Sequence, residues 1–280
     1  MSAYPSKNSH PTYQNLPQPA VIAHRGASHY APENTIAAFE LALRQGADAV
    51  ELDVWLTKDE QVVVTHDTKL DRTTGFHGAI GSLCLDQIKT LDAGSHFSPK
   101  FRDEKIPTLS EVFEALNKDI VINIELKHLT SFSRALPETA ARIVQKHGYQ
   151  EQVIFSSFNP VAIYQVRHYL PGIPTALLAP RGFAGTFSRS ILAEMFHYQA
   201  LHIYYADITP ELVHRLHAGG RRLHVYTLNT DLDITHGLDL NVDGIITDDP
   251  LLAMRSIAEY KAKGSDVNAS FERKLAKSGR

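Results

Sequence analysis

The sequence predicts an α/β protein, a (β/α)8 TIM barrel with a small insertion after the second strand region. Strand-like apolar runs alternate with helix-like segments eight times, a pattern typical of a closed parallel barrel. The length of 280 residues suits a single domain of this kind. An open doubly wound sheet would normally carry a glycine-rich fingerprint after its first strand, whereas residues 24–27 read His-Arg-Gly-Ala. We expect the eight strands near residues 21, 50, 122, 154, 175, 202, 224 and 244.

The second predicted strand separates apolar from acidic side chains. Its even positions are apolar and share one face, whereas Glu51 and Asp53 share the other. An isolated acidic pair often belongs to a solvated strand face, but buried carboxylates are paired or bind a metal. The run 120–127 repeats the pattern, with Glu125 and Lys127 opposite its apolar residues. Two such strands favour the interpretation that these charged side chains point into the barrel.

A β-hairpin is predicted directly after the second strand. The apolar run that begins at Val62 follows a short stretch of turn residues, and two strand-like runs so joined read as a hairpin. If Leu56 pairs with Gln61, the antiparallel ladder places His66 opposite Glu51. This register predicts an imidazole beside the carboxylates.

The composition is that of a soluble globular protein, with 43% apolar and 21% charged residues. A formal charge of −3 gives no indication of a nucleic-acid surface. Cys84 is the only cysteine, which excludes internal disulfides and a thiolate metal site and suits a reducing compartment. We therefore expect a cytoplasmic location.

The ends of the chain differ in character from its middle. Residues 1–19 are polar and proline-rich, lack the apolar core of a signal peptide and predict a flexible arm. The barrel is expected over 20–263, with an inserted segment at 67–107 that is too long for an ordinary connection. Residues 264–280 predict a flexible tail, and no run is long enough for an integral membrane segment.

The chemistry is expected at the carboxyl ends of the strands, where barrel active sites lie. The side chains expected at this rim are His24, Arg25, Glu51, Asp53, Glu125 and Lys127, with His66 returning by the hairpin. Three carboxylates without a cysteine predict a site for one hard divalent cation, Mg²⁺ or Ca²⁺. The two basic residues suit a phosphate, and the two histidines can serve as general acid and base. Together they predict phosphoester cleavage.

Several short motifs occur in an order typical of one family. They are His24-Arg25-Gly26, Pro32-Glu33-Asn34-Thr35, Glu51-Leu52-Asp53-Val54, His66-Asp67, Leu70-Asp71-Arg72-Thr73-Thr74-Gly75, Glu125-Leu126-Lys127 and Asp243-Gly244-Ile245-Ile246-Thr247-Asp248. Through these motifs the chain resembles the glycerophosphodiester phosphodiesterase family from about residue 20 to residue 260.

The resemblance implies hydrolysis of glycerophosphodiesters, such as glycerophosphocholine or glycerophosphoethanolamine, to glycerol 3-phosphate and an alcohol. The roles it implies are metal binding by Glu51, Asp53 and Glu125, acid–base catalysis by His24 and His66, phosphate binding by Arg25 and Lys127, and support of the site by Glu33 and Asn34. Tyr226 stands where the family usually has tryptophan. An aromatic wall is thus kept, but its size changes, which bears on the preferred leaving alcohol.

Two other functions fit parts of the pattern. A lysophospholipase D acting on lysolipids would use a related barrel, but such relatives generally lack the long insertion and often carry a disulfide. A non-catalytic barrel that binds phosphate ligands would usually have lost a metal ligand or a histidine. His202 and His224 are interpreted as structural or rim residues, although His202 lies near a strand end. The expected partner is a small-molecule substrate, and a homodimer is a possible assembly.

Overall fold

Eight parallel strands close into a barrel in the computed structural model, which describes residues 10–127, 133–187 and 197–263. The strands are β1 (Ala20–Ala23), β2 (Ala49–Leu56), β3 (Val62–Val64), β4 (Val121–Leu126), β5 (Val153–Ser157), β6 (Thr175–Leu178), β7 (Ala200–Tyr204), β8 (Arg222–Tyr226) and β9 (Gly244–Thr247). β1 pairs with both β2 and β9, which closes the barrel, and β3 adds to β2 in the antiparallel sense. The (β/α)8 prediction is confirmed, and every expected strand position falls within an observed strand. The predictions for residues 1–9 and 264–280 lie outside the described residues.

Helices pack around the outside of the barrel. They are α1 (Ile36–Arg44), α2 (Asp71–Thr74), α3 (Leu85–Thr90), α4 (Leu109–Leu116), α5 (Ala135–His147), α6 (Pro160–Tyr169), α7 (Gly182–Phe187), α8 (Pro210–Ala218), α9 (Asp231–Asp239) and α10 (250–263). Threonines begin several of them; Thr108, for example, forms a reciprocal capping box with Glu111 at the start of α4. Leu52 of β2 is fully buried in one cluster with Phe39 and Phe113 of the covering helices. Among the helices described, none is both long and apolar enough to cross a membrane.

The amino-terminal end of the barrel is closed by residues 10–19, which the sequence predicts to be part of a flexible arm. Tyr13 and Leu16 are buried there among small inward-facing residues such as Ala49. Arg222 donates hydrogen bonds to the backbone oxygens of Tyr13 and Gln14, both at 2.9 Å. The small side chains at the strand starts leave space that the two apolar side chains fill. The described part of the arm is therefore packed, contrary to the sequence expectation.

The hairpin between β2 and β3 forms, but with a different register from the predicted one. Leu56 lies opposite Val62 and not opposite Gln61. Thr57 closes the turn, because its N–H donates to the Gln61 oxygen and its hydroxyl accepts from the Gln61 N–H, both at 2.9 Å. These two bonds hold Gln61 opposite Thr57. Every pair in the ladder is therefore shifted by one residue relative to the predicted register. The segment beyond β3 packs on the hairpin through a small apolar cluster that includes Leu70 and Val63 of β3.

Candidate active site

Three carboxylates meet inside the barrel. Glu51 and Asp53 project inward from β2, and Glu125 projects from β4 at the position paired with Asp53. One ligand oxygen from each residue lies within 4.8 Å of the others, and all three residues are buried. Successive side chains of a strand point to opposite faces, and the outward faces of β2 and β4 pack under helices. The alternate residues of these two adjacent strands therefore point inward and form the cluster. The sequence prediction that these side chains converge thus agrees with the structure.

The cluster carries more negative charge than its surroundings favour. Burial, followed by the charges of Asp53 and Glu125, raises the pKa of Glu51 well above its usual value. Burial and the charge of Asp53 also raise the pKa of Glu125. For Asp53, burial acts in the same direction, but the charges of Lys127 and Arg25 outweigh it and lower the pKa. Three crowded oxygen donors of this kind fit a hard divalent cation, which would relieve their repulsion.

Two basic side chains border the carboxylates. The backbone N–H of Arg25 donates to Oε2 of Glu51 at 3.0 Å, and Arg25 Nε lies 3.5 Å from Oδ2 of Asp53. Lys127 Nζ lies 2.9 Å from Oε1 of Glu125 and 3.3 Å from Oδ1 of Asp53. Burial acts to lower the pKa of Lys127, but Asp53 and Glu125 outweigh it and raise that pKa. Both cations are thus held charged at the edge of the cluster.

Each of the two predicted catalytic histidines is held by a carboxylate at Nδ1. His24 Nδ1 lies 2.6 Å from Oδ1 of Asp248, which follows β9, and His66 Nδ1 lies 2.7 Å from Oδ1 of Asp67. Burial acts to raise the pKa of Asp248, but its contacts with His24, together with hydrogen bonds from two other side chains, outweigh this and bring the pKa to about 2. Burial lowers the pKa of His66 below its usual value. Both rings line the same cavity as Glu51 and Glu125.

Two further residues hold the carboxylates and basic groups in place. Asn34 Nδ2 donates to Oδ2 of Asp53 at 2.9 Å, while its own oxygen accepts from the Asp53 N–H at 3.3 Å. Glu33 Oε1 accepts a hydrogen bond from Arg25 Nη1 at 2.9 Å. Glu33 also accepts from Arg72 of α2, which in turn donates to Asp67 at 2.7 Å. Both residues lie in the loop between β1 and α1, so this loop supports the site from one side.

The roles of Asp248 and Arg72 are absent from the sequence predictions, although both residues lie in quoted motifs. Asp248 lies 224 positions from His24 along the chain, and only barrel closure between β1 and β9 brings them together. Arg72 belongs to the inserted segment, and the sequence of that segment has no regular periodicity from which the position of Arg72 could be predicted. The position of Asp248 just after the last predicted strand was the one available signal for it.

Part of the cavity wall is aromatic. The cavity has a volume of about 300 Å³, and its wall includes Phe158, Tyr204 and Tyr226. The Tyr226 hydroxyl donates to the backbone oxygen of Ala179 at 2.8 Å, and its ring meets Phe158 edge-on. The guanidinium of Arg181 lies 3.7 Å from the centre of the Tyr204 ring. Tyr226 therefore forms part of an aromatic wall, as the sequence predicts.

Buried carboxylates beside fixed cations, at the carboxyl end of a parallel barrel, are typical of enzymes that act on phosphate esters. The profile of the Glycerophosphoryl diester phosphodiesterase family matches residues 24–252, and the chain belongs to this family. A glycerophosphodiester phosphodiesterase of Caldanaerobacter subterraneus subsp. tengcongensis is 42% identical over 231 residues, covering 82% of this chain and 94% of that protein. The predicted enzyme class, glycerophosphodiester phosphodiesterase, is confirmed.

Solved structures of related proteins share the architecture. A phosphodiesterase of Oleispira antarctica, solved in complex with its product sn-glycerol-3-phosphate, superposes with a TM-score of 0.79 at 31% identity, covering 88% of this chain and 98% of that one. A glycerophosphodiester phosphodiesterase of Agrobacterium tumefaciens gives a TM-score of 0.73 at 30% identity, covering 84% of this chain and 98% of its own. The similarity thus extends over nearly the full length of both relatives.

Proposed function

We propose that this enzyme hydrolyses glycerophosphodiesters, such as glycerophosphocholine or glycerophosphoethanolamine, to glycerol 3-phosphate and an alcohol, with one divalent cation. The observation that carries the proposal is the buried cluster of Glu51, Asp53 and Glu125, whose ligand oxygens lie within 4.8 Å of one another. All three donors are hard oxygens, which favours Mg²⁺ or Ca²⁺. When bound, the cation would supply charge neutralisation and orientation for a phosphate oxygen.

Phosphate binding is assigned to Arg25 and Lys127. Arg25 is anchored through its backbone to Glu51 and through its guanidinium to Glu33, so its position is fixed before substrate arrives. Lys127 is held by Glu125. Positive charge that needs no rearrangement during the reaction stabilises the extra negative charge of the transition state.

Proton transfer is assigned to His24 and His66. Because the Nδ1 atom of each ring is bound to a carboxylate, proton exchange with the substrate would use Nε2. One imidazole removes the proton from the nucleophile, for which we propose the glycerol hydroxyl adjacent to the phosphate. The other imidazole protonates the departing alkoxide. The resulting cyclic phosphate is then opened by water, with the two histidines exchanging roles.

The leaving alcohol is placed against the aromatic wall of Phe158, Tyr204 and Tyr226. These rings offer apolar contact to an alcohol, and Arg181, which lies 3.7 Å from the Tyr204 ring, adds a positive charge beside them. Tyr226 is fixed by its bond to Ala179, so the wall is held in place on this side. Replacing Tyr226 by the larger tryptophan should change the relative rates with different alcohols.

A coupled assay for glycerol 3-phosphate release tests the proposal. His24→Ala and His66→Ala should each lower turnover by about 10² or more, and a chelator should abolish activity until Mg²⁺ or Ca²⁺ is restored. His77→Ala is a suitable control, because the His77 side chain is 91% exposed and lies outside the cavity lining. Near-normal turnover in both histidine variants would contradict the acid–base assignment, and chelator-insensitive activity would contradict the metal assignment.

A parallel assay for choline release helps to separate the two alternative functions. Faster release of choline from lysophosphatidylcholine than from glycerophosphocholine, leaving a lysophosphatidic acid or its cyclic form, would indicate a lysophospholipase D. Binding of glycerol 3-phosphate without any turnover would indicate a non-catalytic barrel. Of the two, the second is disfavoured by the complete set of charged and imidazole groups around the cavity.

A further inference from the structure

The aromatic wall of the cavity carries a positive charge that has no role in the proposed chemistry. Phe158 follows β5, Arg181 follows β6, and Tyr204 and Tyr226 end β7 and β8. All four side chains line the cavity, and all four residues are at least partly exposed to solvent. A molecule that enters the cavity can therefore contact both the rings and the guanidinium.

Arg181 lies over the face of one of these rings. Its guanidinium is 3.7 Å from the centre of the Tyr204 ring, well within the distance of a cation–π interaction. The Tyr204 and Tyr226 rings have their centres 6.3 Å apart, and Tyr226 meets Phe158 at 6.5 Å. Clustered aromatic rings are a common binding site for a quaternary ammonium group such as that of choline. In this protein, its own guanidinium takes the position that such a group would take on Tyr204.

The charge of Arg181 differs from the other positive charges that line the cavity. Arg25 and Lys127 are each paired with carboxylates, whereas Arg181 forms no ion pair with a carboxylate within the part of the chain that the structure describes. Asp233 adds negative charge near Tyr205, but it does not line the cavity. The positive charge of Arg181 can therefore act on a group of the ligand.

We propose that Arg181 selects the leaving alcohol by its charge, favouring alcohols that carry a negatively charged group over cationic alcohols such as choline. This inference rests on the proposed function, in which the leaving alcohol lies against the aromatic wall. A guanidinium donates two parallel hydrogen bonds to a carboxylate or phosphate, and it repels an ammonium group. The carboxylates that line the cavity, Glu51 and Glu125, belong to the candidate cation site and offer no separate partner to an ammonium group.

Three diesters that differ only in the leaving alcohol test the proposal. They are glycerophosphocholine and the 3,3-dimethylbutyl and 2-carboxyethyl esters of glycerol 3-phosphate, whose alcohols share a two-carbon spacer and end in a cationic, a neutral and an anionic group. Release of glycerol 3-phosphate by the full chain, with Mg²⁺ or Ca²⁺, gives kcat/KM for each diester. Because the alcohols differ in intrinsic reactivity, the quantity compared is the change in the carboxyethyl-to-choline ratio of kcat/KM when Arg181 is replaced. An effect of Arg181 on the phosphate that all three share cancels in this ratio.

Arg181→Gln should lower the carboxyethyl-to-choline ratio by about tenfold, because the charge beside the end of the alcohol is lost. The ratio of the dimethylbutyl to the choline ester should fall by less, since only the repulsion of the ammonium group is relieved. Arg181→Lys keeps the charge and should keep most of the parental ratio. Arg142→Gln is the matched control, because it removes the same charge from a side chain that is 74% exposed and lies outside the cavity lining. Its ratio should equal that of the parent.

The outcomes separate this inference from the proposed function. An unchanged ratio in Arg181→Gln, with the diesters still hydrolysed, would overturn the role of Arg181 and leave the proposed function intact. An equal fall in Arg181→Gln and Arg142→Gln would indicate an effect of net charge alone and would also overturn it. A parent chain that releases glycerol 3-phosphate from none of the three diesters would contradict the proposed function, and the selection of an alcohol with it.

Discussion

Arg72 donates two hydrogen bonds to Glu33, from Nη1 to Oε2 at 2.6 Å and from Nη2 to Oε1 at 2.7 Å. Its Nε also donates to Asp67 at 2.7 Å, and Asp67 holds the ring of His66. Glu33 in turn anchors Arg25. One guanidinium from the inserted segment therefore links Arg25, for which we propose phosphate binding, to the support of His66, for which we propose proton transfer.

Replacing this guanidinium should weaken catalysis without unfolding the barrel. Arg72→Gln removes three charge-assisted bonds from a half-exposed side chain, so Glu33 and Asp67 lose their shared partner. We expect kcat/KM to fall by about 10 to 100-fold, because supporting residues of this kind fix the geometry of the groups they hold. Arg44→Gln, which breaks an exposed ion pair with Glu40, should leave kcat/KM within about twofold of the parent. Equal rates for the two variants would contradict a positioning role for Arg72.

Cation binding should be visible in thermal unfolding as well as in activity. A cation that binds only the folded protein stabilises it, by about 2.7 kcal/mol at a concentration 100 times its Kd. Glu51→Gln replaces a charged oxygen donor by a neutral amide and so removes one of the crowded charges. This variant should therefore unfold no earlier than the parent in chelator and gain far less from Mg²⁺ or Ca²⁺. Glu40→Gln, at an exposed position, should respond to the cation as the parent does. A similar rise in unfolding temperature for all three proteins would argue against the carboxylate site.

The pH profile should report on His66 through its carboxylate partner. Burial is the largest influence on the pKa of His66 and lowers it, whereas the hydrogen bond to Asp67 raises it. Asp67→Asn removes the raising contribution, so the limb of the kcat/KM profile governed by His66 should move to lower pH while the other limb stays in place. Movement of the acidic limb would identify His66 as the base, and movement of the alkaline limb would identify it as the acid. A profile in which neither limb moves would contradict a catalytic role for His66.

His202 and His224 form a buried imidazole pair, with His224 Nδ1 3.0 Å from His202 Nε2, and this pair should make the barrel sensitive to acid. Below pH 6.5 the unfolded chain binds protons on both histidines, whereas folded His202, with a pKa of about 3, and folded His224 do not. Stability is therefore present above pH 6.5 and is lost as pH falls, by up to about 1.4 kcal/mol per pH unit for each ring. Urea unfolding at pH 7, 6 and 5 should show a shallower loss for His224→Asn than for the parent. The exposed variant His77→Ala should keep the parental slope, and identical slopes for all three would refute this account.

Much of the site could be predicted from sequence because strand geometry leaves few choices. A strand covered by helices on one face must turn its alternate residues inward, so Glu51 and Asp53 had to enter the barrel once Leu52 was buried. Glu125 then followed from parallel register with the neighbouring strand. The cytoplasmic location and the homodimer stay predictions.

Contacts that depend on the detail of turns and on closure could not be predicted in the same way. The hairpin register was wrong by one residue because the Thr57 hydroxyl closes the turn, an interaction that alternation does not encode. His24 and Asp248 meet only because the last strand pairs with the first. The His224 ring packs directly against Gly244, where an added Cβ would lie 2.6 Å from the ring. The sequence does not indicate that a glycine is required at this position, because the two residues meet only in the packed structure.

The segment ahead of β1 affects how the enzyme can be trimmed or fused. Tyr13 and Leu16 fill the end of the barrel opposite the candidate active site, and Arg222 of β8 donates hydrogen bonds to the backbone oxygens of Tyr13 and Gln14. A shortened version starting at Ala20 would retain all the strands, but solvent would reach the apolar side chains that Tyr13 and Leu16 cover. For expression or fusion to another protein, the chain should therefore begin before Thr12, so that Tyr13 and Leu16 are retained with the barrel.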